Sequence, residues 1–83
     1  MLRPTATNVE VLKNFHLKIF FDNGEIKIFD VTPYIKGNWY SELNDSAYFN
    51  TVTTNGFSIE WAHGQDICPD ELYELSKPLQ VNE

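Results

Sequence analysis

Two asparagine–glycine pairs, Asn23-Gly24 and Asn55-Gly56, constrain this chain of 83 residues more than any other feature. Each lies between runs in which apolar and polar residues alternate, and a period of two marks a strand with one buried face. A two-residue type I′ loop needs positive φ at both positions, which Asn and Gly tolerate best. The pairs therefore predict two antiparallel hairpins. With Asn23-Gly24 as the first loop, Phe21 faces Ile26, Ile19 faces Ile28 and Leu17 faces Asp30. One face then carries Leu17, Ile19, Phe21, Ile26 and Ile28, and the other His16, Lys18, Phe20, Lys27, Phe29 and Val31. With Asn55-Gly56 as the second, Thr54 faces Phe57. Val52, Phe57, Ile59 and Trp61 then point inward, and Thr51, Thr53, Ser58 and Glu60 point to water.

The remaining segments are short. Thr7 to Leu12 alternates and predicts a strand with Val9 and Val11 on one face. Thr32-Pro33-Tyr34-Ile35-Lys36-Gly37 predicts one helical turn, with Thr32 as cap, Pro33 at the first position and Gly37 ending it. Trp39 and Leu43, four apart, share one side of a second short helix, and Asp45 caps a third over Ser46 to Asn50. The closing helix follows Cys68, with Pro69 first, Asp70 and Glu71 at its positive end, Leu72 and Leu75 facing inward, and Pro78 as its stop. The sum is an α+β domain spanning residues 1–83, with its core over 7–76 and a frayed C-terminal tail. It is a mostly antiparallel sheet of four or five strands with short helices packed on one face.

The strings FDNGEIKIFDVTPY, WYSELNDSAYF and GFSIEWAHGQDICPDELY, in this order, resemble the DUF2442 family of small bacterial proteins. The resemblance rests on Asn23-Gly24-Glu25, Phe29-Asp30-Val31 with Pro33, Leu43 and Asp45 with Phe49, Ile59-Glu60-Trp61 with Gly64, and Asp66-Ile67 with Pro69, Leu72 and Tyr73. It implies an α+β fold and a bacterial, cytoplasmic setting. Relatives are often encoded beside another small protein, which implies a toxin–antitoxin-like pair. Some relatives carry a helix-turn-helix segment after this domain. None follows within these 83 residues, so a DNA-binding role is not carried over.

Charge narrows the partners. The chain has 6 Lys and Arg against 12 Asp and Glu, a net charge of −6. Residues 1–40 hold five basic and four acidic residues, and residues 41–83 one basic and eight acidic. Phosphate neutralisation needs clustered Lys and Arg, so nucleic-acid binding by this chain is not expected. No apolar run approaches the roughly 20 residues of a membrane span, and no signal-peptide core follows Met1. A single cysteine allows neither an internal disulfide nor an all-cysteine zinc site, and the expected compartment is the cytoplasm.

Glu60, His63 and Asp66 cluster around one turn, a residue set that a metal ion or a general base could use. The structural reading is favoured: Glu60 pairs across the sheet, and Asp66 satisfies backbone donors near the turn. Cys68 with His16 or His63 could form a thiol–imidazole pair, but no nucleophile motif surrounds it, and a half-buried residue at the cap position is expected. No catalytic residue, metal ligand or cofactor is assigned. The expectation is a non-enzymatic domain that binds a protein with a basic surface or an apolar groove, encoded by the neighbouring gene, with self-association left open. The candidate surface comprises Trp39, Tyr40, Tyr48, Asp70, Glu71 and Glu74. Trp61 is read as a core wedge. The competing reading is a ligand-sensing or transcription-regulatory accessory domain with a pocket lined by Phe20, Phe29, Tyr34 or Tyr48.

Overall fold

The computed structural model describes residues 4–35 and 41–78. Strands β1 (Ala6–Val11), β2 (His16–Phe21) and β3 (Ile26–Asp30) form an antiparallel meander. Two 3-10 turns (Thr32–Tyr34 and Ser41–Asn44) and helix α1 (Ser46–Phe49) lead to the small hairpin β4 (Thr53–Thr54) and β5 (Ile59–Glu60). Helix α2 (Pro69–Leu75) and strand β6 (Lys77–Pro78) complete the chain. The main sheet has the order β1-β2-β3-β6, and β4-β5 forms a second sheet. The fold is α+β, as the alternation required, with the strands divided between two sheets. Pro78, expected only to stop the closing helix, joins Lys77 in strand β6, where they pair with Lys27 and Ile28; the expected frayed tail after it lies outside the described residues.

Both hairpins close differently from expectation, for one shared reason. Only the glycines take positive φ, +92° at Gly24 and +97° at Gly56. Each asparagine keeps ordinary φ and closes its turn through the side chain instead. Asn23 Oδ1 accepts the Glu25 N–H at 2.9 Å, and Asn55 Oδ1 accepts those of Phe57 at 3.0 Å and Ser58 at 2.8 Å. At the first reversal the Gly24 N–H donates to Phe21 O at 3.0 Å and the Phe21 N–H to Glu25 O at 2.9 Å. The loop is therefore Asp22-Asn23-Gly24, which needs only one left-handed residue. Phe20, not Phe21, faces Ile26, and Leu17 faces Phe29. This slip of one residue turns β3 over. Phe29 and Val31 join Leu17, Ile19 and Phe21 in the core, while Ile26 and Ile28 lie half-buried on the outer face.

At the second reversal Thr54 faces Ile59 rather than Phe57. A slip of two residues preserves the faces, so Val52, Ile59 and Trp61 are buried as expected. It moves Phe57 to the loop tip, where the residue is 67% exposed. Ser58, expected to be wet, is buried, and its hydroxyl donates to Ile67 O at 2.6 Å.

The β1–β2 turn was not foreseen. Asn14 and Phe15 both have positive φ, 58° and 61°. A left-handed backbone costs a residue such as Phe roughly 1–2 kcal/mol. Offsetting it, the Phe15 ring packs edge-on against Phe49 at 5.3 Å, and its carbonyl accepts the Val31 N–H at 2.9 Å. Asp45 caps α1 by accepting the Ala47 N–H at 3.0 Å, as expected. Thr32 does not cap the first 3-10 turn; its own N–H is taken by Asp30 Oδ1 at 2.9 Å. The expected end of that turn at Gly37 lies outside the described residues.

The core joins the inner row of the main sheet to Leu43, Phe49, Trp61, Ile67 and Leu72. Trp61 is the wedge the sequence implied: it is buried, and its indole N–H donates to Phe49 O at 3.0 Å. Leu75 is not inward; α2 is short, and this residue is 59% exposed. Cys68 precedes α2 without a side-chain cap and is exposed rather than half-buried.

Candidate functional site

The structure regroups the expected polar cluster. His63 does not converge with Glu60 and Asp66. Its Nδ1 lies 2.9 Å from Oε2 and 3.1 Å from Oε1 of Glu42, on the second 3-10 turn. The Gln65 amide donates to Glu42 Oε1 at 2.8 Å. The Tyr48 hydroxyl donates to Gln65 Oε1 at 2.6 Å and accepts the His63 N–H at 2.7 Å. The Tyr48 and His63 rings lie 4.9 Å apart. The turn after β5 presents these groups: the Gly64 N–H donates to Trp61 O at 2.9 Å, and the Trp61 N–H to Gln65 O at 2.8 Å.

Hydrogen bonds from His63, then Gln65, hold the Glu42 carboxyl below its ordinary range, against a smaller opposing effect of desolvation. A carboxylate that orients an imidazole is half of an acid–base device. Here the rest of the set works on structure: Gln65 is buried, and Tyr48 ties α1 to the turn. Glu42, Tyr48, His63 and Gln65 therefore form a latch between two segments far apart in the chain.

Glu60 accepts from Asn55 Nδ2 at 3.2 Å and stands opposite Asp66 in an isolated antiparallel bridge. Its cross-strand neighbours are thus Thr53 and an acid, not a cation. Among the described residues no three His, Cys, Asp or Glu side chains converge as a metal ion would require. Cys68 lies between Ile67 and Pro69 at the start of α2, whereas His63 is held by the latch.

The expected interaction surface divides. Trp39 and Tyr40 lie outside the described residues. Tyr48 belongs to the latch. Glu71 accepts the Tyr34 hydroxyl at 2.7 Å, and Asp70, Glu71 and Glu74 remain at or near the surface of α2. At the other end of that helix, Lys27 donates to Tyr73 O at 3.0 Å with its ammonium 3.6 Å from the Tyr73 ring centroid. The Tyr73 hydroxyl donates to Glu25 Oε1 at 2.5 Å. That bond, then one from Asn23, lowers the Glu25 pKa, and the same bond raises that of Tyr73.

Sequence reasoning missed the groove where the two hairpin turns meet the start of α2. It is open, with a volume of ≈ 680 Å³. Pro4, Phe57 and Pro69 supply apolar walls, and among the described residues its charged lining is Asp22 and Asp70. The backbone and hydroxyl of Thr5 hold Asp22 in place at 3.3 and 3.0 Å. The misplaced loop hid this groove, since Phe57 at the tip is what forms its wall. Of the four aromatics expected to line a pocket, Phe29 and Tyr34 share a shallow depression of ≈ 310 Å³, whereas Phe20 and Tyr48 lie elsewhere.

The outer face of the main sheet carries Phe20, Ile26 and Ile28, all half-buried. Around them stand Glu10 with Lys18 at 3.7 Å and His16 with Asp30 at 3.8 Å. Lys77 joins this face opposite Ile28, and Leu75 borders it across a hollow shared with His16, Ile28 and Asp30.

Among the described residues no helix is long and apolar enough to cross a membrane. Neither the curated proteins nor the solved structures compared with the chain contain a match. A family model described as a protein of unknown function (DUF2442) matches residues 6–78, nearly the whole chain, and the chain belongs to that family.

Proposed function

We propose that this chain is a non-enzymatic protein-interaction domain, and that its partner presents a basic segment with an apolar anchor. The observation that carries the reading is Phe57. A phenyl ring 67% exposed at a hairpin tip, beside two proline walls, is a surface an aliphatic or aromatic anchor can cover. Among the described residues the charged groups that line it are carboxylates, and the acidic residues of α2 extend the same sign. A cationic partner is therefore drawn to this end of the molecule. In the bacterial, cytoplasmic, two-gene setting implied by the resemblance, the sharpest form of the role is antitoxin-like, the partner being the neighbouring small protein.

Co-expression with that neighbour, followed by calorimetry, tests the reading. Binding should weaken at least tenfold in Phe57→Ser and weaken with added salt. A complex indifferent to Phe57→Ser, or no complex at all, overturns it. The second reading, a ligand-sensing domain, draws support from the Phe29 and Tyr34 rings 5.7 Å apart at the shallow depression. A small aromatic ligand raising the melting temperature of the wild type but not of Tyr34→Ala would favour it.

A further inference from the structure

We infer that the outer face of the main sheet is a two-fold interface between copies of this chain. This inference rests on a different surface from the groove. The apolar row Phe20, Ile26 and Ile28, extended by Leu75, is less buried than the inner row, in which Leu17 and Ile19 have no exposed area at all. Charge selects the occupant. Glu10 and Asp30 are balanced on this face by Lys18 and Lys77. Among the described residues the acidic excess therefore lies off this face. A basic partner gains no net attraction here. Two copies meeting through this face avoid the repulsion that their acidic surfaces would bring.

The charges also suit a two-fold axis. An isologous contact places each residue against its counterpart's neighbours, so the Glu10–Lys18 and His16–Asp30 pairs, each with one partner exposed and one half-buried, can exchange partners across it.

Sedimentation equilibrium of the full chain over a wide concentration range tests the inference. The wild type should approach twice its mass of 9.6 kDa. Ile28→Asp should sediment as a monomer with an unchanged circular dichroism spectrum, and Phe57→Ser should remain dimeric, which separates this interface from the groove. Lys18→Glu serves if Ile28→Asp fails to fold. It gives the face a net charge of the same sign in both copies, so dimer dissociation should rise about tenfold at low salt and recover at high salt. A wild type monomeric at about 0.5 mM, weaker than typical specific interfaces, overturns the inference. So does a dimer that survives Ile28→Asp, or one that ignores Lys18→Glu at low salt.

Discussion

Truncating Phe29 and Ile28 in parallel tests the register of the first hairpin, on which the description of both surfaces depends. Phe29 is 1% exposed, faces Leu17 and packs with its ring 5.7 Å from that of Tyr34, the planes tilted at 41°. Phe29→Ala removes a core ring and leaves a cavity, a change that costs about 3–5 kcal/mol. At ~0.05–0.15 kcal/mol per residue, a domain of this length holds roughly 4–12 kcal/mol in all. The variant should therefore lose a large share of its stability, and Phe29→Leu, costing about 1.5 kcal/mol, provides a measurable intermediate step. Ile28 faces Lys18 on the outer side and is half-buried, so Ile28→Ala should cost about 1 kcal/mol, in proportion to the smaller area withdrawn from water. Urea titration, with m compared across variants and protein kept dilute so that self-association adds little, reads both values. In the register expected from a two-residue Asn23-Gly24 loop the order reverses. An Ile28→Ala loss equal to or larger than that of Phe29→Ala would refute the slip and everything drawn from it.

The other tests are smaller. Gly24→Ala should destabilise by about 1–2 kcal/mol through its φ of +92° alone, since no atom lies within 4 Å of the added carbon, whereas Asn23→Ala should cost about 1 kcal/mol through the lost bond to the Glu25 N–H; thermal melts distinguish them. Trp61→Phe leaves the buried Phe49 carbonyl without its indole donor and should cost about 1–3 kcal/mol by urea titration. The folded-state pKa of Glu42 lies below its ordinary 4.5, so the latch's contribution is present above that pH and is lost as pH falls through the lowered value. Glu42→Gln should therefore flatten the acid limb of a stability–pH profile, and an unchanged limb would remove the latch.

How much of this was legible depends on parity. The alternation of Phe15 to Phe21, Glu25 to Val31 and Phe57 to Trp61 revealed strands, and the glycines revealed where the chain reverses. What the pattern could not weigh was asparagine's choice between supplying φ and supplying a side-chain acceptor. In both hairpins the side chain prevailed. At Asn55 the slip was even, so the inward placement of Ile59 and Trp61 was read correctly and only Phe57 and Ser58 were misplaced. At Asn23 it was odd, and every side chain of β3 changed face. The latch was hidden for a different reason. Glu42 and His63 are 21 residues apart, and no local periodicity links a 3-10 turn to a loop. Strand β6 was hidden because two residues, one of them proline, carry no alternation to detect.

The same odd slip produces the outer face. Had Asn23 taken positive φ, Ile26 and Ile28 would stand with Leu17 and Ile19, and the opposite side would carry Lys27, Phe29 and Val31. In the observed register Lys27 lies across from Ile19, and its ammonium reaches the carbonyl and ring of Tyr73 instead of water. Phe29 and Val31 fill the core. Two isoleucines are left on a surface where Glu10 and Asp30 meet Lys18 and Lys77. A turn that needs one left-handed residue instead of two thus decides which strand face is core and which remains available to a second copy.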